Sequence, residues 1–211
     1  MSYICNEIHN IFQNLKRYRF SFDINEIPKN GIYILFEKQE IAHNGDRIVR
    51  IGTHTGDNNL AKRLKEHFLV ENKDRSISRK NIGRALLNKN NDDFLKQWEW
   101  DLTSRANKEK YLPMLNLEKQ NHVEKEVTKY IQENFSFVIF EVETKQDRLY
   151  FEEKIISTIS LCKDCKASKS WLGNYSPVKK IKESGLWLVQ GLYKEPLNEN
   201  DLNKITKFKS Y

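Results

Sequence analysis

The sequence predicts an α+β fold, a small three-stranded antiparallel sheet flanked by helices. Three observations predict it. Two dense β-forming runs, Gly31-Ile32-Tyr33-Ile34-Leu35-Phe36 and Arg47-Ile48-Val49-Arg50-Ile51-Gly52, flank His43-Asn44-Gly45-Asp46. Asn-Gly between such runs is a strong hairpin signal, because both residues tolerate the positive φ of a tight turn. A third run, Phe135 to Val142, is rich in Phe, Val and Ile. Between and around these runs, apolar residues recur at helical spacing.

Taken in order, residues 1–20 read as an N-terminal helix through Ile8, Ile11, Phe12 and Leu15. Pro28, Asn30 and Gly31 punctuate a turn into the hairpin, which spans 31–52. A polar loop, Thr53 to Asn59, leads to a helix whose apolar stripe is Leu60, Leu64 and Phe68. Residues 70–80 are charged and turn-like, and Ile82 to Leu87 begins a short helix. Residues 88–113 have weak periodicity and carry Trp98 and Trp100. A longer helix over about 115–133 runs through Leu117, Val123, Val127 and Ile131, before the third strand. The next helix covers Asp147 to Leu161, with Leu149, Ile155, Ile156 and Ile159 as its inward stripe. The tail holds Trp171-Leu172-Gly173-Asn174-Tyr175-Ser176-Pro177 and Ser184-Gly185-Leu186-Trp187, loops with aromatics of buried character.

With 211 residues the chain has length for one sizeable domain, and 38% hydrophobic residues are compatible with a packed core. The formal charge of +7, from 36 basic and 29 acidic residues, permits polyanion binding without proving it. Cys5, Cys162 and Cys165 form no disulfide framework. Cys162 and Cys165 have CxxC spacing, but no second such pair completes a four-ligand zinc site, so they read as reduced thiols near a helix end. No signal-peptide pattern follows Met1, and the apolar runs fall far short of the roughly 20 residues that span a bilayer. The expectation is a soluble, cytoplasmic protein with no membrane partner.

Two helices carry unusual polar residues. Arg63 and His67 are four apart, on one face offset from the Leu60/Leu64/Phe68 stripe, and so project past the core into a cleft. Arg offers bidentate phosphate recognition, and His moves protons near neutral pH. Glu152 falls three after Leu149 and three or four before Ile155 and Ile156, on the inward side of its helix. A carboxylate there is costly unless it is paired or binds a cation. Glu153 falls outward.

Gly31-Ile32-Tyr33, then Ile51-Gly52, then Arg63-Leu64-Lys65-Glu66-His67 resembles the GIY-YIG nuclease motif series. That family includes homing endonucleases, some restriction enzymes and a nucleotide-excision-repair subunit. The resemblance implies a GIY-YIG-like core over about 31–70 and 135–175, a helical insertion over about 71–134, and an extension over about 176–211, all within one nuclease domain. It implies Tyr33 as general base, Arg63 on the scissile phosphate and His67 as its helper. Glu152 would be the ligand of one divalent ion, Mg²⁺ with Mn²⁺ as the alternative, and Asn174 matches an asparagine beyond the glutamate helix. The family's second tyrosine position is Arg50 here, and the hairpin is longer than usual. Arg50 lies close to Tyr33 across the hairpin and would act on it electrostatically.

The implied substrate is DNA. Arg75, Arg79, Lys80 and Arg84 near the start of the insertion, with Lys179 and Lys180 in the tail, are candidate phosphate contacts, with a solvated charged face as the competing reading. His54, in Thr53-His54-Thr55, reads as part of a solvated loop at the cleft. No zinc-finger or helix-turn-helix signature is present. The main functional expectation is a metal-dependent endonuclease, acting as a homodimer if it cuts both strands. Its rivals are a catalytically inactive nucleic-acid-binding module of the same fold, and a scaffold presenting its Trp-rich segments.

Overall fold

The computed structural model describes residues 2–19 and 22–208. The first helix, α1, spans Ser2–Gln13, shorter than expected; Met1 and Phe20 lie outside the described residues. The chain leaves the helix early because Tyr18 is needed elsewhere. Its N–H and C=O both pair with Phe137, at 2.8 and 2.9 Å. That bridge covers part of the outer edge of a strand that would otherwise expose unpaired backbone groups.

The hairpin forms as β1, Ile32–Ala42, and β2, Gly45–Gly52. The third strand, β3, is Phe135–Phe140, and the antiparallel sheet has the order β2-β1-β3. His43 and Asn44 occupy the two turn positions, with φ of 51° and 61°, so the turn sits one residue before the Asn-Gly pair. Leu35 pairs with Arg50, yet Phe36 pairs with Ile48. Val49 is thus an extra residue, a β-bulge.

Both faces of the sheet are covered, which is why its strands are nearly continuous apolar runs. On one face, Tyr33, Leu35, Val49 and Phe137 pack against three helices: α2, Leu60–Phe68; α3, Ile77–Lys89; and α6, Leu117–Asn134. Trp171 and Trp187 close the same cluster. On the other, Ile34, Phe36, Ile51 and Phe140 pack against α1, α7 (Lys145–Leu161) and α9 (Glu199–Lys207). The weakly periodic stretch contains two short helices, α4, Leu95–Trp98, and α5, Arg105–Tyr111. Trp98 is fully buried over Gly83, where a Cβ would lie 2.3 Å from its ring. A last short helix, α8, spans Lys179–Ser184.

In α7 the inward face is Arg148, Phe151, Ile155 and Ile159; Leu149 is 42% exposed, contrary to the expected stripe. Arg148 takes the buried position because its guanidinium donates to the carbonyls of Glu143 and Gly56. Glu152 consequently sits at the flank of the core, partly buried, and Glu153 is exposed and paired with Lys194. Among the described residues no helix is long and apolar enough to cross a membrane.

Candidate active site

Tyr33 is 1% exposed and sits opposite Gly52 on β2. Glycine is required there, since a Cβ on residue 52 would lie 2.2 Å from the Tyr33 hydroxyl. The phenol lies across the hairpin at the point where β2 ends. Its hydroxyl has no hydrogen-bond partner among the described residues and is not sealed in the interior. Arg50 points to the same face two residues along the ladder, the diagonal neighbour of Tyr33. It is 5% exposed, donates from one terminal nitrogen to the Trp187 carbonyl and leaves Nε without a partner.

Helix α2 supplies the next two groups. Leu60, Leu64 and Phe68 anchor it in the core, as the periodicity predicts. Arg63 is at the surface of the cleft, held loosely by Glu66 at 3.6 Å and the Arg75 carbonyl at 3.4 Å. His67 does not project past the core with it; it is 2% exposed and packs against Tyr33, ring centroids 5.6 Å apart. Its Nδ1 is 2.6 Å from the Ser76 hydroxyl, and its buried Nε2 has no partner. Burial, aided by Arg50, Arg63 and Arg79, holds His67 well below the usual histidine range, so the ring is neutral.

Glu152 reaches the same place from α7. One carboxylate oxygen accepts the Thr53 N–H at 3.0 Å, directly after Gly52. Burial pushes its carboxyl up, against the opposing pull of Arg50, the Thr53 amide and Arg63. Thr53, His54, Thr55, Gly56, Asn59, Lys62, Arg63 and Glu66 line an open cleft of about 320 Å³. His54 is not a solvated loop residue: it is 3% exposed. Its Nε2 accepts from the Gly31 N–H, and its Nδ1 lies 2.5 Å from the Gly56 carbonyl. The ring therefore staples the cleft loop to the start of β1.

Tyr33, Arg50, Arg63, His67 and Glu152 are thus gathered at one end of the hairpin. Asn174 is not with them. It is exposed, in a 3₁₀ turn over Leu172–Tyr175, and its amide donates to the carbonyls of Ser168 and Lys169. Of the basic residues, Arg79 is fully buried and bonded to Glu124, so it is unavailable to phosphate. Arg84 is committed to Glu99 through two nitrogens, and Lys80 donates to the Glu99 carbonyl. Arg75, Lys179 and Lys180 are exposed. Lys62 in the cleft, Thr53 holding Glu152 and Ser76 holding His67 were not anticipated. Lys62 next to Arg63 was visible as a basic pair; the other two act through backbone geometry that spacing does not encode.

No curated protein and no solved structure matches the chain. A family model described as GIY-YIG domain matches residues 3–209. Covering nearly the whole chain, it takes in the hairpin, α2 and α7 that carry these residues. The chain therefore belongs to the GIY-YIG domain family, a family of nucleases.

Proposed function

We propose that the chain is a metal-dependent DNA endonuclease that hydrolyses phosphodiester bonds at the cleft between the hairpin end and α2. The observation that carries this reading is that Tyr33 and His67 lie ring to ring, Glu152 is held by Thr53, and Thr53 and Arg63 line the open cleft beside them. We take residues 3–209 as one nuclease unit, following the span of the family match.

Glu152 is suited to a hard divalent cation. One of its oxygens is held by Thr53, and the other has no hydrogen-bond partner among the described residues. Mg²⁺ characteristically takes one or two carboxylates and completes its shell with water and phosphate oxygens. When bound there, Mg²⁺ would supply charge for the phosphoryl and leaving oxygens.

The chain's own residues do the rest. Arg63, loosely held by Glu66, turns its guanidinium to the phosphate and neutralises charge that grows on the non-bridging oxygens. Tyr33, as general base, takes a proton from the attacking water while the water's oxygen bonds to phosphorus. The phosphorus–oxygen bond to the leaving group then breaks, and that oxygen is protonated from solvent. Neutral His67 offers its unpartnered Nε2 to the Tyr33 oxygen or to a phosphoryl oxygen. Arg50 adds fixed positive charge beside Tyr33, on the same face of the hairpin. Cutting both strands with one such site per chain would need two chains acting together.

Cleavage of supercoiled plasmid tests the reading. Wild type with Mg²⁺ is expected to nick or linearise, and EDTA to abolish this. Glu152→Gln and Arg63→Ala are each expected to lose at least about 10²-fold in rate, the scale of removing one preorganised charge-stabilising group. Equal rates in all three proteins would refute the site, and an inert wild type on plasmid, branched and single-stranded DNA would refute the activity.

A further inference from the structure

On the face of the sheet away from Tyr33, three distant parts of the chain bring sulfur and imidazole together. Cys5 and His9 lie one turn apart on α1. His43 stands at the β1–β2 turn, and Cys162 and Cys165 follow the end of α7. One ligand atom each from Cys5, His9, His43 and Cys165 lies within 4.8 Å of all the others. We propose that these four side chains bind a structural zinc ion.

The distances suit tetrahedral coordination. Bonds of about 2.3 Å to sulfur and about 2.0 Å to nitrogen separate neighbouring ligand atoms by roughly 3.3–3.8 Å. Cys5 Sγ and Cys165 Sγ are 3.4 Å apart, and Cys165 Sγ is 4.0 Å from His9 Nε2. His9 Nδ1 lies 2.9 Å from the Cys5 carbonyl and donates to it, which leaves Nε2 with its lone pair facing the thiols. A backbone carbonyl on the second nitrogen is the usual way a metal-binding histidine is oriented. Two sulfurs and two imidazoles select zinc among the common divalent ions.

Burial and the placement of His43 point the same way. Cys5 and His9 are fully buried, Cys165 is 3% exposed, and their surroundings are Ile8, Phe12 and other apolar side chains. An imidazole and thiols sealed in such a cluster are costly without a strong common partner. A disulfide between Cys5 and Cys165 would leave both histidines unexplained. His43 holds φ at 51° in the tight turn, which carries its ring to within 4.7 Å of the His9 ring, centroid to centroid. Cys162 Sγ lies 3.4 Å from His43 Nε2, at the rim. The ion would tie α1 and the hairpin to α7, and so fix Glu152 relative to Tyr33. It stands apart from any ion at Glu152.

Elemental analysis of the intact chain, purified under reducing conditions, is expected to find one zinc per chain. The Co²⁺-exchanged protein is expected to show intense tetrahedral d–d bands and a thiolate-to-cobalt charge-transfer band. Cys5→Ser, Cys165→Ser and His9→Asn should lose stoichiometric zinc, whereas Cys162→Ser and Glu152→Gln keep it. The wild-type cobalt spectrum decides the matter even if those variants fail to fold. Absence of bound zinc together with no tetrahedral cobalt spectrum would overturn the proposal. So would a Cys5–Cys165 disulfide in protein isolated without air, or zinc lost from Cys162→Ser but not from Cys165→Ser. None of these outcomes depends on DNA cleavage, so the zinc site and the nuclease reading can fail separately.

Discussion

His67 shows how a single buried ring links site chemistry to stability. It lies under Tyr33, bonded to Ser76, with Arg50, Arg63 and Arg79 raising the cost of a positive charge. Its folded pKa is well below the ordinary 6.5, the value the unfolded chain recovers. Below about pH 6.5 the unfolded chain therefore takes up a proton that the folded chain refuses. The unfolded state binds more protons in that window, so stability falls as pH drops, by at most about 1.4 kcal/mol per pH unit. The contribution is fully present above pH 6.5. Urea unfolding of wild type and His67→Gln at about pH 7.5 and about pH 5.5 measures it. The variant is expected to lose less stability on acidification than wild type; an equal loss would mean that His67 titrates normally.

Individual elements differ in how far the sequence announced them. The hairpin, α2 and the third strand were legible because local signals and burial agree there: Tyr33 and Leu35 line one face, Ile34 and Phe36 the other. The hidden parts are those where a polar residue takes a core position through a distant partner. Arg148 displaced Leu149 from the inward face of α7 by bonding the Glu143 and Gly56 carbonyls. Arg79 reads as a surface cation but closes on Glu124, whose second oxygen accepts the Lys73 N–H. Glu37 gathers Tyr130, Trp171 and Trp187 on one carboxylate, anchoring the tail whose Trp187 carbonyl holds Arg50. The proposed zinc site was illegible for a related reason: Cys165 belongs to a CxxC pair that lacks a second pair in sequence, and Cys5, His9 and His43 join it only through three-dimensional contact. Arg79 yields a direct test. Arg79→Ala would leave the Glu124 carboxylate buried without its partner and is expected to cost about 3–5 kcal/mol in denaturant unfolding. A near-neutral result would place Arg79 back among surface cations.

Across the whole molecule, the net charge of +7 matters only through the cations left free to meet phosphate. Arg79, Arg84 and Lys80 are spent inside the α3 region. Lys62 lines the cleft, and Arg75, its side chain 64% exposed, reaches Glu66 at 3.6 Å beside Arg63. These two flank the phosphate position proposed above, whereas Lys179 and Lys180 stand on α8, outside the cleft lining. Each cation that neutralises a phosphate adds about 0.9 to the slope of log affinity against log salt on duplex DNA. Binding measured in the Glu152→Gln background separates contact from cutting. There, Lys62→Ala and Arg75→Ala are each expected to lower that slope by about 0.9, and Arg84→Ala to leave it unchanged. Slopes that respond to Lys179→Ala and Lys180→Ala instead would route the duplex over α8 and away from Arg63. Such a path would separate the backbone from the Arg63 guanidinium, and the proposed cleft geometry would fall with it.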